Sequence, residues 1–182
     1  MLDRQPHDLG EWLADGTAFE AAGADALCVD FAREPQLDPL ALTAALAAVT
    51  FRSLLVTSLP GAEEPAVART LGTIEQLSHG RLRILADAIP SGGLADIASR
   101  LGVFRRISGD PEVVEHMREP DEAQRWVCVP SPDSRAAWRQ ALHDAAERGS
   151  GGLLVSAGPR LLDILRNPDD QGDRRDLQLA QG

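Results

Sequence analysis

Two short segments rich in serine and glycine have the composition of turns that bind phosphate groups. Ser108-Gly109 lies between a predicted strand and a helix predicted at residues 110–118, and Ser156-Ala157-Gly158 precedes a helix that begins with Pro159. A strand, a turn of small residues and a helix N-terminus direct backbone N–H groups and the helix dipole at an anion. The candidate phosphate contacts are therefore Ser108, Gly109, Ser156 and Gly158, with an ordinary strand-to-helix turn as the alternative at both places.

Polar side chains also stand at the carboxyl ends of three other predicted strands. Asp30 follows the first strand, Thr57 and Ser58 lie near the end of the second, and Asp87 follows the third. In barrels of alternating strands and helices the chemistry takes place at this end of the sheet. We therefore take these four residues as candidate ligand contacts, with helix capping or a loop role as the alternative for Asp30.

The elements that would position these residues alternate along the chain. Strands that are apolar throughout and alternate with helices indicate a mostly parallel sheet covered on both faces. We predict helices at residues 8–22, 40–49, 65–77, 93–101, 110–118, 132–148 and 159–166, and about six strands at residues 24–29, 53–59, 81–86, 103–107, 125–129 and 152–156. Residues 1–166 are expected to form one α/β domain, and residues 167–182 a polar C-terminal tail or arm.

Composition excludes several classes of function. The net charge is −10, and all 18 basic residues are arginines scattered along the chain, so no basic stripe indicates binding to nucleic acid. No apolar stretch approaches the roughly 20 residues of a membrane helix. Residues 1–10 are polar and lack the apolar core of a signal peptide, which predicts a cytoplasmic protein that binds no membrane.

Cysteine and histidine give no sign of a metal or redox site. Cys28 and Cys128 are far apart in the sequence and form no C-x-x-C pair, so we expect two buried thiols. His116 and His143 lie on separate predicted helices without a partner at metal-ligand spacing. His79 precedes Gly80 in a turn, where a solvent-facing position is expected.

Three segments, in order, carry a resemblance to a known family. Residues 19–30 read FEAAGADALCVD and residues 38–50 read DPLALTAALAAVT. Residues 65–69 read PAVAR and are followed at residues 73–82 by TIEQLSHGRL. Together they resemble the luciferase-like flavin-dependent monooxygenase superfamily over residues 17–86. A weaker likeness lies at residues 107–114, ISGDPEVV, which is similar to a strand-to-helix turn of that family.

The resemblance implies a TIM-barrel-derived fold and a flavin cofactor, either reduced FMN or F420. A complete barrel of this kind needs about 250 residues, and this chain has 182, so we expect a shortened, incomplete barrel. Asp30, Thr57, Ser58 and Asp87 would then face the flavin ring, and Arg69 and Arg160 are the nearest candidates to neutralise its phosphate. The implied activity is that of an oxidoreductase or monooxygenase acting on a small organic substrate, with no catalytic residue assigned.

Departures from the family pattern support an alternative function. The family's first strand is missing or reduced to residues 1–6, Phe31 stands where many members have a histidine, and residues 85–90 lack the usual glycine-rich turn. The long insertion that shapes the substrate pocket has no counterpart. The alternative is therefore a non-catalytic, flavin-binding or accessory subunit. Because an incomplete barrel exposes sheet edges, we expect self-association or docking with a full-length luciferase-like partner.

Overall fold

Seven strands form one curled sheet in the order in which they occur along the chain. The computed structural model describes residues 8–30, 37–59, 65–107, 109, 113–117 and 123–168. The strands are β1 (Ala26–Val29), β2 (Leu54–Ser58), β3 (Leu82–Ala86), β4 (Val103–Ile107), β5 (Val113–Met117), β6 (Ala123–Val129) and β7 (Gly152–Val155). The helices are α1 (Leu9–Ala21), α2 (Pro39–Val49), α3 (Pro65–Leu77), α4 (Ala95–Leu101), α5 (Arg135–Glu147) and α6 (Pro159–Arg166), with a 3-10 turn at Gly92–Leu94.

The sheet is mixed, which corrects part of the expectation. β1 to β4 are parallel to their neighbours and β6 is parallel to β7, but β5 runs antiparallel between β4 and β6. The helix predicted at residues 110–118 is wrong, because residues 113–117 form this fifth strand. Asp110-Pro111 is typical of a helix start, but pairing with two neighbouring strands outweighs such a weak local preference. The described residues form seven strands, where about six were predicted.

Local signals place the starts of α1 and α2 and the end of α1. The Asp8 carboxylate accepts a hydrogen bond from the Glu11 amide at 3.0 Å, and the Asp38 carboxylate accepts one from the Leu40 amide at 2.8 Å. Both aspartates are N-caps, which satisfy amide groups that have no partner inside the helix. Gly23 follows α1 with a φ of 91°, a left-handed conformation that glycine adopts at low cost.

Two apolar clusters lie on opposite faces of the sheet. The larger one lies between the outer face and the helices, where Leu46, Leu55 and Ile84 are fully buried. The smaller one fills the concave face and takes at least one side chain from every strand. Because side chains of all seven strands meet there, the sheet must curl through much of a barrel. The concave cluster consists of Ala26, Cys28, Val56, Leu85, Phe104, Val114, Trp126, Cys128 and Leu154.

The buried carboxylate of Glu20 holds the turn that leads from α2 into β2. It accepts hydrogen bonds from the backbone amides of Phe51, Arg52 and Ser53 at 2.9, 2.7 and 2.8 Å. Burial raises the pKa of Glu20, but these three amides and the nearby charge of Arg81 outweigh it and leave the pKa below its usual value. The carboxylate therefore stabilises this turn in its ionised form.

Arg81 binds the same region from the other side. Its guanidinium donates to the carbonyl oxygens of Ser78 and Ser53 at 2.8 Å each and of Thr50 at 2.7 Å. The residue is 9% exposed, and burial is the main cause that lowers the pKa of Arg81, against the opposing effect of Glu20. Arg81 thus ties α2, β2 and the turn before β3 together at the amino ends of the strands.

Charged side chains pair across the outer face of the antiparallel strands. Arg105, Glu115 and Arg125 lie directly opposite one another on β4, β5 and β6, and Glu115 contacts the two arginines at 2.8 and 3.1 Å. The hydrogen bond from Arg105 is the largest cause that lowers the pKa of Glu115, assisted by Arg125 and opposed by burial. These cross-strand pairs satisfy polar groups on the antiparallel part of the sheet.

Candidate functional site

The carboxyl ends of four strands place charged and polar residues on the concave face. Cys28 and Phe104 belong to the concave cluster, and side chains two residues apart in a strand point to the same face. Asp30 and Arg106 therefore follow them on that face. By the same alternation Ser58 also points inward, and Asp87, one residue past β3, lies beside Arg106, so these four residues lie at one end of the curled sheet.

Arg106 joins two of the predicted site residues. Its guanidinium forms an ion pair with Asp30, which follows β1, and lies 3.3 Å from the Asp87 carboxylate, which follows β3. The side chains differ in exposure: Asp30 is 8% exposed, Arg106 22% and Asp87 83%. We call these three residues the Arg106 cluster. Because Arg106 lies on β4, its contact with Asp30 crosses the concave face.

Burial and charge act in opposite directions within the Arg106 cluster. Burial lowers the pKa of Arg106, but its bonds to Asp30 and Asp87 outweigh burial and raise that pKa above its usual value. Oδ1 of Asp30 is buried and has no hydrogen-bond partner among the described residues. Two carboxylates face one guanidinium, so the cluster has a formal charge of −1 when all three groups are ionised.

Cys28 lies close beneath the Arg106 cluster on β1. Its thiol is buried, and burial is the main cause that raises its pKa to about 12, with a smaller contribution from Asp30 and an opposing one from Arg106. A thiol with this pKa stays protonated near neutral pH and is a poor nucleophile. Cys28 therefore packs as an apolar residue and is unsuited to thiolate chemistry.

Thr57 and Ser58 lie on opposite faces of β2. Ser58 shares the concave face with Val56, and its hydroxyl lies 3.5 Å from the carbonyl oxygen of Val29. Thr57 faces the helices, is fully buried, and donates from its hydroxyl to the carbonyl oxygen of Ser58 at 3.4 Å. In this arrangement Ser58 can reach a ligand above the concave face, whereas Thr57 cannot.

The turn between β7 and α6 has the geometry predicted for it. Gly158 is the N-cap of α6 and Pro159 its first residue, so no side chain caps the first turn of this helix. The Ser156 carbonyl oxygen accepts a hydrogen bond from the Ser131 hydroxyl at 2.8 Å. Arg160 donates to the carbonyl oxygen of Asp133 at 3.1 Å and is thereby held beside the turn.

The turn at Ser108-Gly109 differs from the prediction. Ser108 lies outside the described residues, and Gly109 is exposed. The chain continues into β5 rather than into a helix, so residues 113–117 supply no helix dipole for an anion. A phosphate contact by Gly109 stays a prediction, without the helical support on which it was based.

Other candidates lie away from the Arg106 cluster. Arg69 lines a groove between α3 and α4 with Arg100. His116 stacks on Phe104 with ring centroids 4.2 Å apart, and His79 is exposed in its turn, as expected. Among the described residues, no three His, Cys, Asp or Glu side chains are grouped so that they could hold a metal ion. None of the helices described is long and apolar enough to cross a membrane.

No protein-family model matches the sequence, and no curated protein is significantly similar to it.

A cavity of about 300 Å³ separates the two edge strands, β1 and β7. We call this gap the seam. Within the described ranges neither strand pairs with a further strand on its outer side. Aromatic and aliphatic side chains of α1, β1, β6, α5 and β7 line the seam, among them Phe19, Leu27, Cys28, Trp126, Trp138 and Leu154. Apolar side chains and the edges of two strands therefore line the seam.

Arg106 is the residue that sequence reasoning missed. The 18 arginines are scattered along the chain, and their distribution does not distinguish Arg106 from the others. A signal was present: Phe104 and Arg106 are two residues apart in a short strand, so a buried Phe104 places Arg106 on the same face. Arg106 reaches Asp30 and Asp87 because the first four strands pair side by side with fixed registers. The sequence alone does not show these registers.

Proposed function

We propose that this protein is a shortened member of the luciferase-like superfamily with a TIM-barrel-derived fold. It binds reduced FMN or F420 at the carboxyl ends of its strands and acts as an oxidoreductase or monooxygenase on a small organic substrate. The single observation that carries the proposal is the Arg106 cluster, which joins Asp30 and Asp87 at the end of the sheet where such barrels hold their ligands.

The residues at this end of the sheet are chemically suited to a flavin. An isoalloxazine ring offers carbonyl oxygens that can accept from Arg106, and a ring N–H that can donate to a carboxylate such as Asp30. Oδ1 of Asp30 is an acceptor without a described partner, and an unsatisfied buried acceptor costs about 1–3 kcal/mol. The uncapped first turn of α6, after Ser156 and Gly158, suits the terminal phosphate.

Flavin titration tests the proposal directly. We expect the purified protein to give saturable changes in FMN or F420 absorbance and fluorescence, and Arg106→Gln to weaken binding about tenfold or more. The reason is the loss of a charged hydrogen-bond donor, which contributes about 1.5–3 kcal/mol.

Arg139→Gln is the matched control, because Arg139 is exposed on α5, and it should bind like the unchanged protein. Arg106→Lys keeps the positive charge and replaces Arg106→Gln in the titration if the glutamine variant does not fold. Absence of binding to both flavins would overturn the proposal. Equal flavin affinities of the unchanged protein and a folded Arg106 variant would remove the Arg106 cluster as the site.

The seam favours a second candidate function, that of a non-catalytic flavin-binding or accessory subunit. Two edge strands, β1 and β7, face the seam, and such edges are used for pairing with another chain. The partner would be a second copy of this chain or a full-length luciferase-like protein.

Size-exclusion chromatography with light scattering tests whether the partner is a second copy. We expect a mass that is a multiple of 19.5 kDa and that falls on dilution. A mass of one chain at every concentration would exclude self-association, and mixing with a full-length homologue would then test the other partner. Oxygen-dependent turnover of an added substrate in the presence of reduced flavin would favour the enzyme over the accessory subunit.

A further inference from the structure

We propose that residues 176–180 of this chain bind in its own seam as an eighth strand between β1 and β7. These residues read DLQLA and follow Pro168, outside the part of the chain that the structure describes. In the seam they close the curled sheet and cover the side chains that line the gap. This inference goes beyond the proposed flavin chemistry and does not depend on it.

The two edges of the seam run in the same direction. β1 to β4 are parallel, β5 reverses, and β6 and β7 again run in the direction of β4. β1 and β7 stand at the two ends of the strand order, so each has an edge that pairs with no other described strand. One strand parallel to both can therefore pair its backbone with both edges, which removes the exposed edges of an open sheet.

The described residues leave part of the seam's apolar lining uncovered. Leu153 and Leu154 of β7 are only half-buried, whereas the central residues Leu55 and Val56 of β2 are buried. Leu142 of α5 also lines the seam and is 44% exposed. Because burial of apolar surface stabilises a folded chain, these side chains favour an occupant that carries apolar side chains of its own.

The direction of the chain leads from α6 to the seam. Since α6 follows β7 and packs back across the sheet, its last residue, Arg166, lies toward the amino ends of the strands. The helical crossovers from β1 to β4 and from β6 to β7 each add the next strand on the same side, and such crossovers are right-handed. A parallel strand after α6 therefore lies on the outer edge of β7, which borders the seam. Residues 167–175 span up to about 30 Å when extended, which is several strand spacings.

Residues 176–180 have the alternation of a strand. Leu177 and Leu179 flank Gln178, so both leucines point to the same side of an extended segment. Side chains of α1, α5 and α6 line the outer side of the seam and provide the apolar contacts for the leucines. Gln178 then faces the concave side, where Nε1 of Trp126 is a buried donor without a partner among the described residues. The amide oxygen of Gln178 can accept from this donor.

Charge favours entry of the segment at the amino end of the seam. Asp25 stands directly before β1, lines the seam and is exposed. A strand parallel to β1 enters at that end, and Arg174 and Arg175 come shortly before Leu177. Opposite charges therefore meet where the segment enters, with the modest effect of exposed ion pairs.

Residues 1–7 are the other segment that the chain order brings to the seam, because they precede α1. They read MLDRQPH and also lie outside the described residues. Pro6 has no backbone N–H to donate to a neighbouring strand, and the adjacent charges of Asp3 and Arg4 break any apolar alternation. The composition therefore favours residues 176–180 as the occupant.

Hydrogen–deuterium exchange of the full chain tests the inference, because an eighth strand protects the backbone amides of β1 and β7. We expect these amides to exchange about tenfold or more faster in Leu177→Ala/Leu179→Ala, which loses the apolar contacts of the segment. The amides of β2 are the internal reference and should not change. Gln171→Ala/Gln181→Ala is the matched control, since it shortens two side chains of the same tail outside the segment, and it should exchange like the unchanged protein. Equal exchange at β1 and β7 in all three proteins would overturn the inference.

Light scattering at one protein concentration identifies whose segment fills the seam. The segment competes with any partner strand for the edges of β1 and β7, so Leu177→Ala/Leu179→Ala should have a higher average mass than the unchanged protein. A lower average mass of this variant would place the segment in the seam of a second copy and overturn its assignment to its own seam. If exchange at β1 and β7 slowed with protein concentration by the same factor in all variants, the occupant would be a partner strand and the inference would fail.

Discussion

Replacing Arg81 with alanine is expected to lower the free energy of unfolding by about 3–5 kcal/mol, the range for removing one partner of a buried charge network. The substitution deletes donors to the carbonyl oxygens of Ser53, Thr50 and Ser78. It also removes the positive charge of Arg81, which helps to keep the buried Glu20 carboxylate ionised. Urea denaturation followed by circular dichroism measures the change, and the thermal midpoint should fall by about 2–4 °C per kcal/mol.

Arg69→Ala provides the comparison for Arg81→Ala. Arg69 is exposed on α3, and alanine favours helices at least as well as arginine, so the free energy of unfolding should stay within about 0.5 kcal/mol. If Arg81→Ala lowered the free energy of unfolding as little as Arg69→Ala does, the hydrogen bonds at the amino ends of the strands would not stabilise the fold.

Replacing Phe104 with alanine is expected to lower the free energy of unfolding by about 3–5 kcal/mol, because it leaves a cavity in the concave cluster. Phe104 is 3% exposed, stacks on the His116 ring at 4.2 Å and meets the edge of Trp126 at 5.4 Å. The variant should unfold at lower urea concentration. Its native tryptophan fluorescence should also change, because the indole of Trp126 loses a neighbouring ring.

Phe51→Ala is the control for Phe104→Ala, since the same atoms are removed from a side chain that is 76% exposed. Its free energy of unfolding should lie within about 0.5 kcal/mol of that of the unchanged protein, and its tryptophan fluorescence should be the same. If both phenylalanine variants were equally stable, the concave face would not be a packed core. The curled arrangement of the seven strands would then be in doubt.

Local signals explain which elements were predictable. Asp8 and Asp38 cap their helices through side-chain bonds to residues two or three positions away, and Gly23 ends α1 through its own backbone conformation. Such interactions are contained in a few consecutive residues, so the sequence displays them. The helix predicted for β5 is wrong because this segment pairs with β4 on one side and β6 on the other, at separations that run from Ile107–Val113 to Val103–Met117. Pairing of this kind lies outside the few consecutive residues that signal a helix.

The same distinction applies to the candidate site. Asp30, Ser58 and Asp87 were predicted because they stand at the ends of apolar segments, a property visible in sequence. Thr57 was predicted with them but faces the helices, because successive side chains of a strand point to opposite faces and Ser58 shares the concave face with Val56. Gly158 was placed correctly at a helix N-terminus, since proline follows it directly.

The sequence by itself determined the α/β alternation, the ends of the first helices and the polar residues at the carboxyl ends of the strands. Only the tertiary structure decided that Arg106 joins Asp30 and Asp87, that β5 reverses direction, and that β1 and β7 flank a seam. The physical reason is separation along the chain: Arg106 is 76 residues from Asp30 and 19 from Asp87, as their numbers show. Contacts at such distances depend on strand order and curvature, which are properties of the whole sheet.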